Sequence, residues 1–117
     1  MNRIAVLADI HGNRWALEAV LTPDCRFSIE THGILHDGRA AIVDLFATRW
    51  RGHIRARHHD FTHTPSAASG RIASQFTVTY SGEGAAAPKS NANVFTVKNG
   101  LISRVQVYMS GENTIRT

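Results

Sequence analysis

The sequence predicts a single α+β domain in which a curved, mostly antiparallel sheet carries helices packed on one face. Four runs of alternating apolar and polar residues follow one another in the C-terminal half, and the Asn99-Gly100 turn between the last two is typical of an antiparallel hairpin. Two amphipathic helical segments precede these runs. A chain of 117 residues is long enough to bury one core but not two. The order of helix, strand, helix and four strands therefore indicates one sheet with one covered face.

Five strands are predicted from alternation, which places successive side chains on opposite faces of a sheet, and from runs rich in β-branched and aromatic residues between turn residues. The clearest strand spans residues 101–109, where Val105, Val107 and Met109 share one face. The opposite face of that strand carries Arg104, Gln106 and Tyr108. The other predicted strands span residues 26–31, 54–63, 71–80 and 91–97. Pro65 is expected to end the strand 54–63, and residues 81–89 are expected to form a loop.

Two helices are predicted from apolar residues spaced three or four apart. The longer one covers residues 38–50, with Asp37 as its N-cap and Gly52 beyond its end. Its apolar side consists of Ile42, Leu45, Phe46 and Trp50. The shorter one covers residues 13–21 and ends before Pro23. Its apolar side consists of Leu17, Val20 and Leu21.

Composition excludes several functional classes. Hydrophobic residues make up 43% of the chain and charged residues 19%, as in ordinary globular proteins, and no apolar run is long enough to span a membrane. The single cysteine, Cys25, cannot form an internal disulfide and is expected to be a small buried side chain in a cytoplasmic protein. The net charge is +4, but the basic residues are scattered and no nucleic-acid-binding motif is present. We therefore expect no nucleic acid, no membrane and no cofactor as partners.

Several motifs between residues 23 and 117 occur in a recognisable order. Pro23-Asp24 leads into the first strand, and His32-Gly33 is followed by the Gly38–Ile42 helix start. A basic-histidine strand at Arg57–His59 and the closing hairpin at residues 95–108 come later. This order resembles the SnoaL-like superfamily, also called nuclear transport factor 2-like or ketosteroid isomerase-like. The resemblance implies a cone-shaped, cystatin-like α+β barrel around a small-molecule pocket.

The first 21 residues resemble a different family. Residues 3–17 are similar to the N-terminal strand, loop and helix of calcineurin-like metallophosphoesterases, in which Asp9 and His11 would match the first two metal ligands. The later ligand motifs of that family are absent from this chain, so no metal is expected unless Asp9 and His11 bind one. The sequence therefore predicts one domain over residues 1–117 with a chimeric, phosphoesterase-like start at 1–21. Residues 1–10 fit either a short helix or a strand.

The resemblance to ketosteroid isomerases implies an acid or base inside the cone. Glu30 is the nearest match to the isomerase base, with His32 next on the same strand face; a solvated strand position is the alternative for Glu30. On the strand 54–63, alternation places His59 and His63 with Phe61, and His58 on the opposite face. Neighbouring histidines on opposite faces should not share a metal ion. Glu30, His32 and His59 are therefore the candidate proton carriers.

Aromatic and amide side chains are the candidate ligand contacts. They are Trp50, Phe61, Asn93 and Tyr108. Such groups can enclose an apolar molecule and orient its carbonyl or hydroxyl group. We expect a pocket protein for a small, mainly apolar ligand, with acid/base catalysis of the isomerase, cyclase or hydrolase type. A non-catalytic ligand-binding or dimerisation module and a residual metallophosphoesterase are the alternatives. Because the uncovered sheet face is partly apolar, a homodimer is expected.

Overall fold

The computed structural model describes residues 14–49, 55–82, 84, 85 and 87–111. The N-terminal part forms α1 (Arg14–Val20), β1 (Leu21–Ile29), a 3-10 helix (Glu30–His32), β2 (Ile34–Asp37) and α2 (Arg39–Arg49). Four strands follow: β3 (Arg55–Ser66), β4 (Arg71–Ser81), β5 (Lys89–Lys98) and β6 (Leu101–Met109). None of the helices in these ranges is long and apolar enough to cross a membrane.

The six strands form one mixed sheet in the order β2-β1-β6-β5-β4-β3. Four of the neighbouring pairs are antiparallel, and only β1 and β6 run parallel. The Asn99-Gly100 turn joins β5 to β6, with Asn99 at φ 52° and Gly100 at φ 78°, as a tight hairpin turn requires. The predicted fold class, a mostly antiparallel sheet with helices on one face, is confirmed.

One face of the sheet, here called the inner face, packs against the helices and forms the core. Phe27 of β1 meets Phe46 of α2 edge to face, with 5.4 Å between the ring centroids. On β6, Val105 and Val107 are each 1% exposed. The predicted apolar sides of both helices are confirmed at Leu17, Val20, Ile42, Leu45 and Phe46. Trp50, predicted on the same side of α2, lies outside the described residues.

The first strand ends earlier than predicted, and a sixth strand follows it. The chain leaves β1 after Ile29 and enters the 3-10 helix Glu30–His32. Gly33 then adopts a left-handed conformation, φ 65°, that reverses the chain. The reversal pairs β2 with β1 in an antiparallel register, with His36 opposite Phe27. Within the described residues, the sheet therefore has six strands instead of the predicted five.

Two prolines lie inside strands, where the sequence analysis expected helix and strand ends. Pro65 lies within β3, which is an edge strand in the described part of the sheet. An edge strand tolerates proline because the missing N–H is not needed for pairing with a further strand. Pro23 is within β1, at an irregularity in the pairing with β6 that spans Leu21 to Arg26. Neither position belongs to a regular central ladder, so both prolines fit the strands.

A β-bulge in β3 changes the face on which the later residues of the histidine-rich strand lie. The register shifts between His59 and Thr62, and Asp60 has a positive φ of 58°. His58 and His63 lie opposite Val78 and Ser74, so both are on the inner face. His59 lies opposite Thr77, on the outer face of the sheet. The prediction that His59 and His63 share a face was therefore wrong, because the extra residue of the bulge shifts the alternation by one position.

Candidate functional site

A row of polar side chains crosses the inner face at β3, β4 and β5. His63 lies opposite Ser74, and Ser74 lies opposite Asn93. Asn91 is two residues from Asn93 on the same strand and pairs with Phe76. These four residues, His63, Ser74, Asn91 and Asn93, are called the inner polar row below. Apolar side chains occupy the equivalent positions on β1 and β6, so the row is confined to one half of the sheet.

The imidazole of His63 is held on two sides. Its Nδ1 lies 2.7 Å from the Oγ of Ser74, a hydroxyl that is completely buried. The Phe61 ring stacks on the imidazole, with 5.4 Å between centroids and 20° between planes. The described residues provide no hydrogen-bond partner for Nε2 of His63. A histidine fixed through one nitrogen keeps the other available to take or give a proton.

Two amide oxygens of the row have unused hydrogen-bonding capacity. The Oδ1 atoms of Asn91 and Asn93 are buried and have no hydrogen-bond partner within the described part of the chain. Asn91 is 6% exposed. A buried acceptor without a partner costs about 1–3 kcal/mol. A bound molecule that presents a hydroxyl or N–H group to these oxygens would recover that free energy.

The surroundings of the row are mainly apolar. The Phe61 ring lies 5.2 Å from the Phe76 ring, and the His58 ring lies 5.5 Å from the same phenylalanine. Phe95 and Met109 are buried on the neighbouring strands. Small-molecule sites combine largely apolar walls with a few polar groups that set orientation. This half of the inner face has both features.

Of the four predicted ligand contacts, the structure brings two together. Phe61 and Asn93 both lie on the inner face at the polar row. Tyr108 lies on the outer face opposite Ala92 and is 36% exposed. It is therefore separated from Asn93 by the thickness of the sheet. Trp50 is outside the described residues.

The predicted proton carriers do not lie together. Glu30 and His32 are exposed in the 3-10 helix, not on the predicted strand, because β1 ends at Ile29. Ser28 donates a hydrogen bond to the Glu30 carboxylate, and Nδ1 of His32 lies 2.9 Å from the Thr31 hydroxyl. His59 is on the outer face.

Metal binding finds no support in the ranges that the structure covers. Asp9 and His11, the predicted ligands if a metal were bound, lie outside the described residues. Among the residues that the structure describes, no group of three or more histidine, cysteine, aspartate or glutamate side chains is arranged to hold a metal ion.

Cys25 lies in the core and is fully buried. Burial, with a smaller contribution from the nearby Asp24 carboxylate, raises the pKa of its thiol to about 12. The thiol is therefore protonated at neutral pH and behaves as a small apolar side chain, as predicted.

Sequence reasoning did not select Ser74, His63 or Asn91 as site residues, although one signal was available. Residues 72, 74, 76 and 78 of β4 form a stripe on one strand face, and Ser74 is the polar member among Ile72, Phe76 and Val78. A polar residue that interrupts a buried apolar stripe indicates a specific hydrogen-bonding task. His63 lies on the same face only because of the bulge.

Solved structures with a similar fold come from several bacteria. A protein from Xanthomonas campestris pv. campestris, described as a polyketide cyclase, is 22% identical over 92% of this chain and 87% of its own, with a TM-score of 0.73. A protein from Kribbella flavida, described as a ketosteroid isomerase, is 15% identical over 96% and 78% of the two chains, with a TM-score of 0.71. A Mycobacterium tuberculosis epoxide hydrolase is 15% identical over 93% and 80%, also with a TM-score of 0.71. These identities establish the fold and leave the reaction open.

Sequence comparison assigns the family. No curated protein matches the chain, but the family model of the SnoaL-like domain matches residues 8–105. That match already includes Asp9 and His11, and nothing in the comparisons supports the predicted metallophosphoesterase segment at residues 1–21. The chain belongs to the SnoaL-like domain family.

Proposed function

We propose that the protein binds a small, mainly apolar organic molecule at the inner polar row and transfers a proton on it through His63. The buried amide oxygens of Asn91 and Asn93 support this function, because they have no hydrogen-bond partner among the described residues. They lie beside the imidazole of His63, which is hydrogen-bonded to Ser74. The amide oxygens would accept hydrogen bonds from a hydroxyl or N–H group of the ligand, and the apolar walls would enclose its carbon skeleton.

The hydrogen bond between His63 and Ser74 supports the choice of proton carrier. It holds the imidazole in one orientation, so that Nε2 can meet the ligand at a defined position. Glu30 and His32 were predicted for this role, but both side chains are exposed. Water screens the charge of an exposed group, so its electrostatic interactions are weaker than those of a group in a site that excludes water. The proposal therefore assigns the proton transfer to His63.

The fold is compatible with more than one type of reaction at this site. The similar structures are described as a polyketide cyclase, a ketosteroid isomerase and an epoxide hydrolase. Isomerase, cyclase and hydrolase chemistry are thus all represented on this fold, and one fold hosts many functions. The non-catalytic alternative, a ligand-binding module, uses the same amides and walls without proton transfer.

Binding can be tested by thermal shift with a panel of polycyclic alcohols and phenols, whose hydroxyl groups can donate to the amide oxygens. We expect at least one compound to raise the melting temperature of the wild type. Asn93→Leu should remove that shift, whereas His36→Gln, on the inner face of the other half of the sheet, should keep it. A panel without any stabilising compound, or an equal shift in wild type and Asn93→Leu, would contradict binding at the row.

Catalysis is tested separately from binding. If His63 transfers the proton, His63→Gln should keep the thermal shift but lose turnover of the bound compound by about 100-fold or more. If the wild type binds a compound without converting it at any pH between 5 and 9, the non-catalytic module is the correct function.

We further propose that the protein forms a homodimer through the outer face at β2, β1 and β6. Leu35 of β2 is 53% exposed and Tyr108 of β6 is 36% exposed, and both lie on this face. Leu35→Glu should give a monomer mass by light scattering at micromolar concentration. Thr62→Glu, an exposed outer-face position on the distant β3, should stay dimeric. A monomeric wild type would exclude the dimer.

A further inference from the structure

A hydrogen-bonded chain of three side chains lies on the outer face, at the edge formed by β3 and β4. The Oγ1 of Thr79 is 2.6 Å from Nε2 of His59. The Nδ1 of the same imidazole is 2.9 Å from Oδ2 of Asp60. A hydroxyl, an imidazole and a carboxylate connected in this order are the arrangement that activates a hydroxyl as a nucleophile.

We propose that Thr79, His59 and Asp60 form a second site, which takes acyl groups from small activated esters onto the Thr79 hydroxyl. This site lies on the opposite face of the sheet from the inner polar row and does not depend on the function proposed for that row.

The hydrogen-bond chemistry fixes the direction of proton movement. The Asp60 carboxylate only accepts hydrogen bonds, so Nδ1 of a neutral His59 must carry the proton that is donated to it. Nε2 is then unprotonated and accepts the hydrogen bond from the Thr79 hydroxyl. This tautomer is the one that a general base needs in order to remove the proton from a nucleophilic hydroxyl.

The β-bulge makes the contact between His59 and Asp60 possible. Consecutive side chains in a regular strand point to opposite faces and cannot meet on one face. Asp60 escapes this limit because it has a left-handed backbone, φ 58°, at the register shift between His59 and Thr62. Left-handed non-glycine residues are found preferentially at functional sites.

Exposure and charge at this edge suit a small ester substrate. The His59 side chain is 23% exposed and the Asp60 side chain 79%, so a molecule in solution can reach the site. Arg57 is the cross-strand partner of Thr79 and is exposed. Directly opposed side chains have Cβ atoms about 4.5–5.5 Å apart. The guanidinium is therefore within reach of an oxyanion that forms next to Thr79.

The reaction proceeds in two steps. In the first, the Thr79 oxygen forms a bond to the ester carbonyl carbon, its proton passes to Nε2 of His59, and the alcohol leaves with that proton when the carbon–oxygen bond of the ester breaks. In the second, water attacks the acyl-threonine with His59 again taking a proton. The acid is released, and the proton returns to the Thr79 oxygen.

The test uses p-nitrophenyl acetate and the complete chain. We expect release of p-nitrophenolate together with one acetyl group on Thr79, located by peptide mass spectrometry after rapid acid quench. Thr79→Val should abolish both signals, and Thr79→Ser should retain them because the hydroxyl remains. His59→Gln should lower the rate by roughly 100-fold or more. Asp60→Asn, which tolerates the left-handed backbone, should also lower it.

A matched control separates this site from general surface reactivity. Thr77→Val removes a threonine hydroxyl from the same face of the same strand and should leave the rate unchanged. The proposal is overturned if acetyl groups appear only on lysines or the N-terminus, if Thr79→Val reacts at the wild-type rate, or if Thr77→Val and Thr79→Val lose activity equally.

Discussion

The two halves of the sheet differ in what their inner faces carry. On β2, β1 and β6, the helices α1 and α2 cover buried apolar side chains, and the main core cluster draws on these elements together with Phe95 of β5. On β5, β4 and β3, the inner face carries the polar row instead, and β4 adds only the partly buried Ile72 to that cluster. The covered half therefore contains most of the core cluster, and the polar half contains the residues of the proposed ligand site.

This division has a physical reason. A buried apolar group contributes to stability in proportion to the area removed from water, whereas a buried polar group contributes only when it is paired. Concentrating the polar groups on β3 to β5 allows one half of the sheet to tolerate unpaired amides. Substitutions in the two halves should therefore have effects of different size, and in one case of opposite sign.

The largest effect is expected in the covered half. Phe27→Ala removes the partner of the Phe46 ring and leaves a cavity in the core, which should cost about 3–5 kcal/mol of unfolding free energy in urea melts. Phe61→Ala, the same change at a half-buried ring of the polar half, should cost less than about 2 kcal/mol. Equal losses would show that the two halves share one core.

Alkaline pH should weaken the covered half through Cys25. Burial raises the pKa of this thiol to about 12 from an ordinary value of 9.0. The unfolded chain therefore releases the proton at lower pH than the folded protein, and stability falls as pH rises from about 9 to about 12. Relative to Cys25→Ala, the wild type should lose up to about 1.4 kcal/mol per pH unit in this window. Urea melts at pH 8 and pH 10.5 measure the difference, and parallel losses in both proteins would contradict it.

In the polar half, one substitution should raise stability. Asn93→Leu keeps a similar volume and removes a buried amide oxygen that has no partner among the described residues. We expect the unfolding free energy to increase by about 1 kcal/mol while ligand binding is lost. A destabilised Asn93→Leu variant would mean that the amide is satisfied in the folded protein.

The smallest effect is expected at a surface ion pair. Nε of Arg26 lies 3.3 Å from Oδ1 of Asp37, with side chains 55% and 63% exposed. Arg26→Gln should therefore cost less than about 1 kcal/mol, and 0.5 M salt, roughly a 4–5 Å screening length, should remove most of the difference. A salt-independent loss would indicate that the Arg26 stem packs on the sheet.

Local patterns predicted most of the elements but not every face. The alternation in β6 and the apolar side of α2 were correct because each depends on one regular period. The opposite faces of His58 and His59 were predicted correctly, but His63 was placed on the wrong one. The bulge at Asp60 leaves no signal in the alternation pattern and moves every later side chain of the strand to the other face.

Two features of the fold depend on contacts or conformations that local periodicity does not encode. The early end of β1 at Ile29 places Glu30 and His32 in a 3-10 helix, which Gly33 caps in a left-handed conformation. The catalytic candidates were lost from the strand for this reason. The parallel pairing of β1 with β6 joins segments distant in sequence. Composition and periodicity show only that each segment is a strand.

That parallel pairing also affects how the chain folds as it is synthesised. Leu21 of β1 pairs with Ile102 of β6, so β1 leaves the ribosome before this one of its two partner strands exists. At about 5–20 residues per second, translation separates the two strands by several seconds. The hairpins of β3, β4 and β5 need only local partners and can form during this interval. The most stable half of the protein is therefore completed last, and its apolar strand is open to chaperones or to aggregation until β6 emerges.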